Sequence, residues 1–469
     1  MSYSCYPNCP DAYTLMHEGV LALAEASEVG MRINTDYCKR TEKELTKKIV
    51  RLERKFESSK LFKRWIKKYG LKTNKGSPLQ LSKMLYEELG YQPPKFTATG
   101  AGAVDEDALK TLNIPEINIL LEARKLVKLR DTYLKAFVRE AVDGFVHPKF
   151  SLNNVKSFRS SSQNPNFQNI PKRDKEAISI VRGAIFPRHG NQLLEVDYSG
   201  AEIRAGVGYH QDPQMRKYIE DATTDMHRDM AMQIFKLDEF DKEKYSSHKM
   251  LRQAAKNGFV FPQFYGDYYA TCAVNLACSW GKLPQGRWHK GEGIEYDENH
   301  HLSDHMIKKG IKDFNTFTEH VKRIEKDFWG RRFRVYQEWK DDLWDSYQHR
   351  GVIDLKTGFQ CRGIMRKNEA LNFPIQGAAF HMLLWSFTQF SKYVYEHKMK
   401  SRPIGQIHDA MVIDVYPPEL ETVKALVHEI MCEKVRKHWD WINVPLEAEM
   451  ELCGVDESWD KKKDVAHAV

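Results

Sequence analysis

Hydrophobic and polar positions change character along this chain of 469 residues, from helical spacing in its first third to short apolar runs beyond residue 190. From Ala12 to about Lys68 the pattern is helical. Leu15, Val20, Leu21, Leu23 and Ala24 precede a turn at Gly30, and a charged amphipathic run begins near Thr35. Between Lys72 and Gly102, Gly76, Pro78, Gly90, Pro93, Pro94, Gly100 and Gly102 punctuate the chain, which predicts loop around one short helix from Pro78 to Glu88. A second long helical run spans Asp105 to Glu140, with Arg124, Lys125, Lys128 and Arg130 on its surface. From Leu193 onward strand-like runs appear among helices, and this alternation predicts an α+β fold. Neither an internal repeat nor a low-complexity segment is present.

Two of the later apolar runs end on an aspartate. Leu193, Leu194 and Val196 read as the end of a buried strand, Ala201 to Val207 as the start of a helix, and Asp197 lies at the junction. Ile404 to Ile407 and Met411 to Val415 read as paired strands, with His408 and Asp409 between them where a hairpin turn belongs. Two carboxylates brought together at strand ends can hold a pair of Mg²⁺ ions about 3.5–4 Å apart, an arrangement that activates a hydroxyl and stabilises a leaving pyrophosphate. Taken singly, Asp197 also reads as a helix N-cap and His408-Asp409 as a structural pair.

Charge narrows the class of partner. The net charge is +8, but between Lys39 and Lys75 fifteen basic residues face four acidic ones. That stretch is either a solvated helix face or a basic arm for a phosphate backbone. A second concentration is Lys249-x2-Arg252-x3-Lys256, three cations at i, i+3 and i+7 on one helix face, followed by Phe259, Phe261, Phe264 and Tyr265. A triphosphate would answer the cations and a base would stack on a ring. The alternative is a basic surface beside a core aromatic cluster. Eight cysteines at irregular spacing lack a second ligand pair of zinc type. Exposed loops collect histidines without any metal, and the run from Cys278 through His289, His300, His301 and His305 is read in that way. With no secretory signal and no membrane-length apolar stretch, the expected location is cytoplasmic, in a bacterial host cell if the gene is a phage's.

With these residues in order, the chain resembles family A DNA polymerases, the group of bacterial DNA polymerase I, and particularly its phage members. Asp-Tyr-Ser-Gly-Ala-Glu-Ile-Arg at 197–204 is similar to the family's motif A, Arg252 to Gly266 to motif B, and Gln406 to Val415 to motif C. The segment from Arg159 to Pro171 resembles the stretch before motif A, Asn372 to Gly377 the template-contacting segment, and Asn74 to Leu81 with Arg124 to Leu134 the thumb.

The resemblance implies a right-hand polymerase of helical thumb, helical fingers and a palm with an antiparallel sheet. Its boundaries would be an N-terminal stub over 1–11, thumb and N-terminal helical region over 12–150, palm over 151–215 and 346–469, and fingers over 216–345. It also implies roles. Asp197, Asp409 and the Tyr198 carbonyl hold two Mg²⁺ ions. Arg252 and Lys256 contact the incoming triphosphate, with Lys256 as general acid to the pyrophosphate. Glu202 is the steric gate against a 2′ hydroxyl, Tyr265 its partner, and His408 a primer-terminus contact. Arg159 and Gln168 touch the primer–template minor groove, and Asn372 and Gln376 the template.

Three departures accompany the resemblance. Motif B has one extra residue between Lys256 and Tyr265 and includes Pro262, which should kink the element. Counting back from Tyr265 makes Phe261 the base-stacking residue, and counting forward from Lys256 makes it Val260. Motif C has Ala410 where a glutamate is common, and Asn368 stands where many relatives have arginine. Too few residues precede the thumb for a 3′–5′ exonuclease, so proofreading would be absent here or come from another chain. The expected partners are primer–template DNA and dNTPs, with room for a separate exonuclease or replisome proteins, and no membrane. A single-subunit RNA polymerase is a rival reading, opposed by Glu202. A metal-dependent nuclease on the same carboxylates is another, and it would have no use for a triphosphate-binding face.

Overall fold

The computed structural model describes residues 3–465 apart from 98, 156, 158, 173, 242, 244, 280–287 and 298–299. The chain divides into two compact units. The first takes Met1–Lys47, Leu126–Glu220 and Val335–Val469, and the second takes Lys48–Lys125 and Asp221–Arg334.

The first unit is built on a five-stranded antiparallel sheet, with spatial order Arg402–Ile407, Ala410–Val415, Gln192–Tyr198, Ala448–Leu452 and Lys463–Asp464. The period of two along the central strand sorts its side chains. Leu194, Val196 and Tyr198 join Met411, Ile413, Ala448 and Met450 in the hydrophobic core, because the register pairs Met411 and Met450 with Val196, Ile413 with Leu194 and Ala448 with Tyr198. The opposite face of the strand carries Leu193, Glu195 and Asp197.

Two long helices, Pro10–Val29 and Lys367–Glu396, contribute to the same core. They pack closely at Gly19, where a Cβ would fall 2.8 Å from Leu384 Cδ1. Val20 and Leu21, apolar though they are, lie on the exposed side of the first helix.

Polar groups on the sheet's other face are paired. Glu195 and Arg182, 2 % and 1 % exposed, meet at 2.9 Å. Glu195 also accepts from Lys462 Nζ at 2.6 Å and Trp459 Nε1 at 3.0 Å. At the far end of the neighbouring strand, buried Asp414 accepts from the Arg188 backbone N–H at 2.6 Å, from Arg188 Nε at 3.2 Å and from Asn191 Nδ2. Asp414→Ala strands these donors, and we expect a loss of about 3 kcal/mol. Urea unfolding monitored by tryptophan fluorescence checks this, and an unchanged midpoint would show that the donors find water instead.

The second unit is helical. Phe56, Leu61, Phe62, Trp65, Leu81, Met84, Leu85, Leu109, Ile114, Ile117 and Leu120 form one of its cores. The expected short helix is found as an α-turn over Pro78–Ser82 continuing into a π-turn over Lys83–Glu88.

Elsewhere the local pattern misleads. The run expected to be continuous from Asp105 to Glu140 breaks at Asn113, which takes a left-handed φ of 48° and ends Glu106–Leu112 before Pro115 opens the next helix. Proline disfavours a helical residue ahead of it, and asparagine tolerates the left-handed cap. Arg124 and Arg130 are not free surface cations either: Arg124 Nη2 donates to the Lys75 carbonyl at 2.6 Å, and Arg130 pairs with Asp131 at 2.8 Å. The turn expected at Gly30 leads into a short strand, Met31–Ile33, paired with Phe145–Val146 and Ile185–Phe186. Among the described residues no helix is long and apolar enough to cross a membrane.

Candidate active site

Asp197 sits one residue from the end of the central strand, and the chain then turns at Gly200, whose φ of 64° places it in the left-handed region. Gly200 is the N-cap of the helix Ala201–His210. The capping alternative for Asp197 therefore falls, because its carboxylate lies three residues ahead of the cap. Asp409 occupies the hairpin turn between the first two strands of the sheet, with Ala410 paired to Asp197, and its carbonyl accepts from the Tyr198 N–H at 3.1 Å. The two aspartates thus stand at the same end of adjacent strands. His408 completes the turn at φ 52°, a conformation few non-glycine residues adopt.

The electrostatics set the two carboxylates apart. Desolvation at the sheet end, reinforced by Glu202 and Asp197 and opposed by Arg159 and Lys172, pushes the Asp409 carboxyl up to about 6. Lys172 Nζ lies 2.5 Å from Asp197 Oδ2. Burial works against the lysine's charge, but Asp197 outweighs it and holds the ammonium above its ordinary range. Desolvation, helped by Lys172 and Arg159, pulls the His408 imidazole below its ordinary range. A carboxylate that ionises reluctantly beside two others suits a divalent cation, and Asp197, Asp409 and the Tyr198 main chain supply hard oxygen donors of the kind Mg²⁺ takes. The Tyr198 phenol is engaged on the core side with the Met431 carbonyl at 2.8 Å and Ser386 Oγ at 3.1 Å, so only its backbone is offered to the site.

Around this pair lie most of the other residues expected in the first unit. Glu202, in the first turn of Ala201–His210, pairs with Arg159 at 2.6 Å. Gln168 Nε2 donates to Gln406 Oε1 at 3.0 Å, and the Ser160 hydroxyl bonds to both side chains. The segment from Arg159 to Gln168 is thereby tied to the strand that leads into His408. Asn372 and Gln376, spaced i and i+4 on Lys367–Glu396, share a half-buried face around Pro374, and this helix packs on Ala201–His210.

Arg252, Lys256, Phe261 and Tyr265 cluster in the second unit. Arg252 Nε pairs with Asp225 at 2.7 Å. Lys256 Nζ stands 5.2 Å from the centroid of the Phe261 ring, and the rings of Phe261 and Tyr265 are 6.4 Å apart. Burial, together with Lys256 and Arg252, lowers the nearby His227 imidazole to about 4.

The helix Ser246–Ala255 continues through a π-turn, Lys256–Val260, into Phe261–Phe264. A π-turn holds one residue more than the α-turn it replaces, which accounts for the extra residue in this stretch. Pro262 falls in the first turn of the segment that follows the π-turn. Phe259 and Val260 are fully buried, whereas Phe261 is partly exposed. Lys249 is exposed, and the helix is still α-helical up to Lys256, whose N–H bonds to the Arg252 carbonyl, so the three cations lie on one face.

Sequence reasoning missed Lys172 and the Ser160–Gln168–Gln406 network. Lys172 directly follows Gln168-Asn-Ile-Pro171, and its adjacency was the available signal; nothing in its spacing to Asp197 reveals the contact. All eight cysteines are free, and no group of three or more His, Cys, Asp or Glu residues is placed to hold a metal among the described residues. In the segment from Cys278 to His305, partly outside the described residues, His305 Nε2 contacts the Phe235 carbonyl at 2.9 Å, a structural role.

Residues 35–461 match the model of the family described as DNA polymerase family A. DNA polymerase I of Lactococcus lactis subsp. cremoris is 29 % identical over 372 residues, 78 % of this chain and 38 % of that protein. The thermostable DNA polymerase I of Thermus filiformis is 28 % identical over 450 residues, 94 % of this chain and 47 % of that one. The chain thus spans less than half the length of either relative. Among solved structures, the POL domain of Pol1 from M. smegmatis, in complex with DNA primer-template and dNTP, shares the fold with a TM-score of 0.72 at 24 % identity, covering 96 % of this chain and 72 % of that one.

Proposed function

Since the chain belongs to DNA polymerase family A, we propose that it is a template-directed DNA polymerase, which extends a primer 3′ end with dNTPs and releases pyrophosphate. The observation that carries this reading is the placement of Asp197 and Asp409 at the same end of adjacent strands, beside Glu202 and Arg159. In the first unit Asp197, Asp409 and the Tyr198 carbonyl would hold two Mg²⁺ ions. When bound, these ions make the primer 3′ hydroxyl a stronger nucleophile and stabilise charge on the leaving pyrophosphate. The hydroxyl oxygen forms a bond to the α-phosphorus of the dNTP, the bond from that phosphorus to the pyrophosphate oxygen breaks, and the hydroxyl proton leaves to solvent.

The remaining roles belong to side chains. Arg252 grips the triphosphate as a fork and Lys256 as a point charge, and Lys256 donates a proton to the pyrophosphate. Glu202 excludes a 2′ hydroxyl, Tyr265 contacts the incoming dNTP, and His408 contacts the primer terminus. Arg159 and Gln168 follow the minor groove, and Asn372 and Gln376 the template strand. The thumb would lie within 12–150, the palm in 151–215 and 346–469, and the fingers in 216–345. The basic stretch from Lys39 to Lys75 suits the phosphate backbone of the duplex.

Extension of a 5′-labelled primer on a DNA template tests the proposal. Growth of the primer only when dNTPs are present supports it, and shortening of the strand without dNTPs would favour the nuclease instead. The exposure of Phe261 and the burial of Val260 make a finer test. Phe261→Tyr is expected to improve dideoxynucleotide acceptance by about tenfold or more by putting a hydroxyl near the sugar, while Val260→Tyr overpacks a core and costs stability. Competition between ddNTP and dNTP in primer extension reads the first, and thermal unfolding reads the second. Improvement in the Val260 variant alone would reverse the placement.

A further inference from the structure

No step above uses Lys172, yet its ammonium lies 2.5 Å from one of the two carboxylates expected to hold metal. Its position is not that of a side chain on a loose loop. The preceding backbone is held at three points. The Phe167 ring stacks on Trp459 with centroids 5.4 Å apart. The Asn169 carbonyl accepts from the Tyr133 hydroxyl, and the Pro171 carbonyl accepts from Arg182 Nε at 3.1 Å. Arg182 is itself fixed by Glu195 and by the Trp459 ring, 4.2 Å from its guanidinium carbon. Glu195 lies two residues before Asp197 on the same face of the strand. One buried network therefore supports both the strand that presents Asp197 and the loop that presents Lys172.

On the two-carboxylate reading of the site, we infer that Lys172 is a built-in counter-ion that competes with a divalent cation for Asp197 and so raises the metal concentration at which the site fills. An ion that takes Asp197 Oδ2 must first displace the ammonium, and the strength of that pair is subtracted from the ion's affinity. With 43 % of the lysine side chain and 26 % of the aspartate side chain exposed, solvent screens the pair. The subtraction is accordingly modest, about fivefold in affinity. Between turnovers the lysine keeps the carboxylates from repelling one another.

Mn²⁺ binding to the full chain without DNA, followed by the electron paramagnetic resonance signal of the free ion, tests this. Lys172→Met is expected to bind Mn²⁺ about fivefold more tightly than the native chain, and Lys172→Arg, which keeps the charge, to stay within about twofold. The Mg²⁺ concentration giving half-maximal primer extension should fall in parallel for the methionine variant. A purely structural lysine would give weaker binding or none of these shifts, so unchanged or weaker Mn²⁺ binding overturns the inference. Asp409→Asn separates this from failure of the underlying reading. If Asp409→Asn retains native Mn²⁺ affinity, the two-carboxylate site is wrong; if it loses the ion while Lys172→Met does not tighten, only the role of Lys172 is wrong. Should the methionine variant fail to fold, Lys172→Gln removes the same charge with a polar side chain.

Discussion

Asp409→Asn is expected to abolish primer extension, by about 10³-fold or more, while making the metal-free protein more stable at neutral pH. The two effects have one origin. In the folded state the Asp409 carboxyl is pushed up to about 6, above the ordinary carboxylate value near 3.8. The native state then holds the proton more tightly than the unfolded chain does. Between about pH 4 and pH 6 the unfolded state has already released its proton while the native state keeps it, so stability falls as pH rises through that window and stays low above it. At pH 7.5 this ionisation opposes folding by about 3 kcal/mol, and asparagine removes the opposition.

Thermal unfolding in a chelator at pH 5 and pH 7.5 should show Asp409→Asn gaining about twice as much at the higher pH as at the lower. Added Mg²⁺ should raise the native midpoint and leave the variant's almost unchanged. Asp197→Ala should lose extension to a similar degree, and it removes the partner of Lys172. If either variant extends primers as the native chain does, the assignment of the metal-binding carboxylates is wrong.

The second large effect is on sugar choice. Glu202→Ala is expected to raise ribonucleotide incorporation relative to deoxynucleotide by about 10²-fold, the range that removing a steric exclusion in a binding site supplies. The side chain is not free to swing aside, since Arg159 holds it at 2.6 Å from the first turn of a buried helix. Glu202→Gln keeps the shape and should keep most of the selectivity, whereas Arg159→Ala should relax it partly by releasing the carboxylate. Competition between each rNTP and its dNTP on one primer–template reads the ratio. An unchanged ratio in Glu202→Ala would remove the gate and revive the RNA polymerase reading.

How far these features were legible beforehand depended on the range of the interactions behind them. The strand before Asp197, the helix after Gly200 and the hairpin around His408-Asp409 follow from apolar runs of four to seven residues, and the structure has all three. The break at Asn113 was hidden because its left-handed conformation leaves the flanking helical periodicity intact. The strand Met31–Ile33 is too short to carry a period and exists through pairing with Phe145 and Ile185, more than a hundred residues away.

Motif B is ambiguous by one residue on counting alone; the structure adds only that Phe259 and Val260 are buried and Phe261 is partly exposed. For Lys172 the sequence offered only its adjacency to Pro171. Its contact with Asp197 depends on a loop clamped by Tyr133, Arg182 and Trp459, three residues distributed over more than three hundred positions of sequence.

That clamp has a consequence for biosynthesis. Glu195 finds two of its partners, Trp459 and Lys462, 264 and 267 positions further along the chain. While the protein emerges from the ribosome, the buried charge beside Asp197 stays incompletely compensated until translation has passed Lys462. A nascent fragment can acquire its helices in order, yet the strand bearing Asp197 has its full set of partners only once Lys462 has arrived. Synthesis that stops before Trp459 leaves both Glu195 and the Lys172 loop without that support, so such chains carry Asp197 on an unbraced strand.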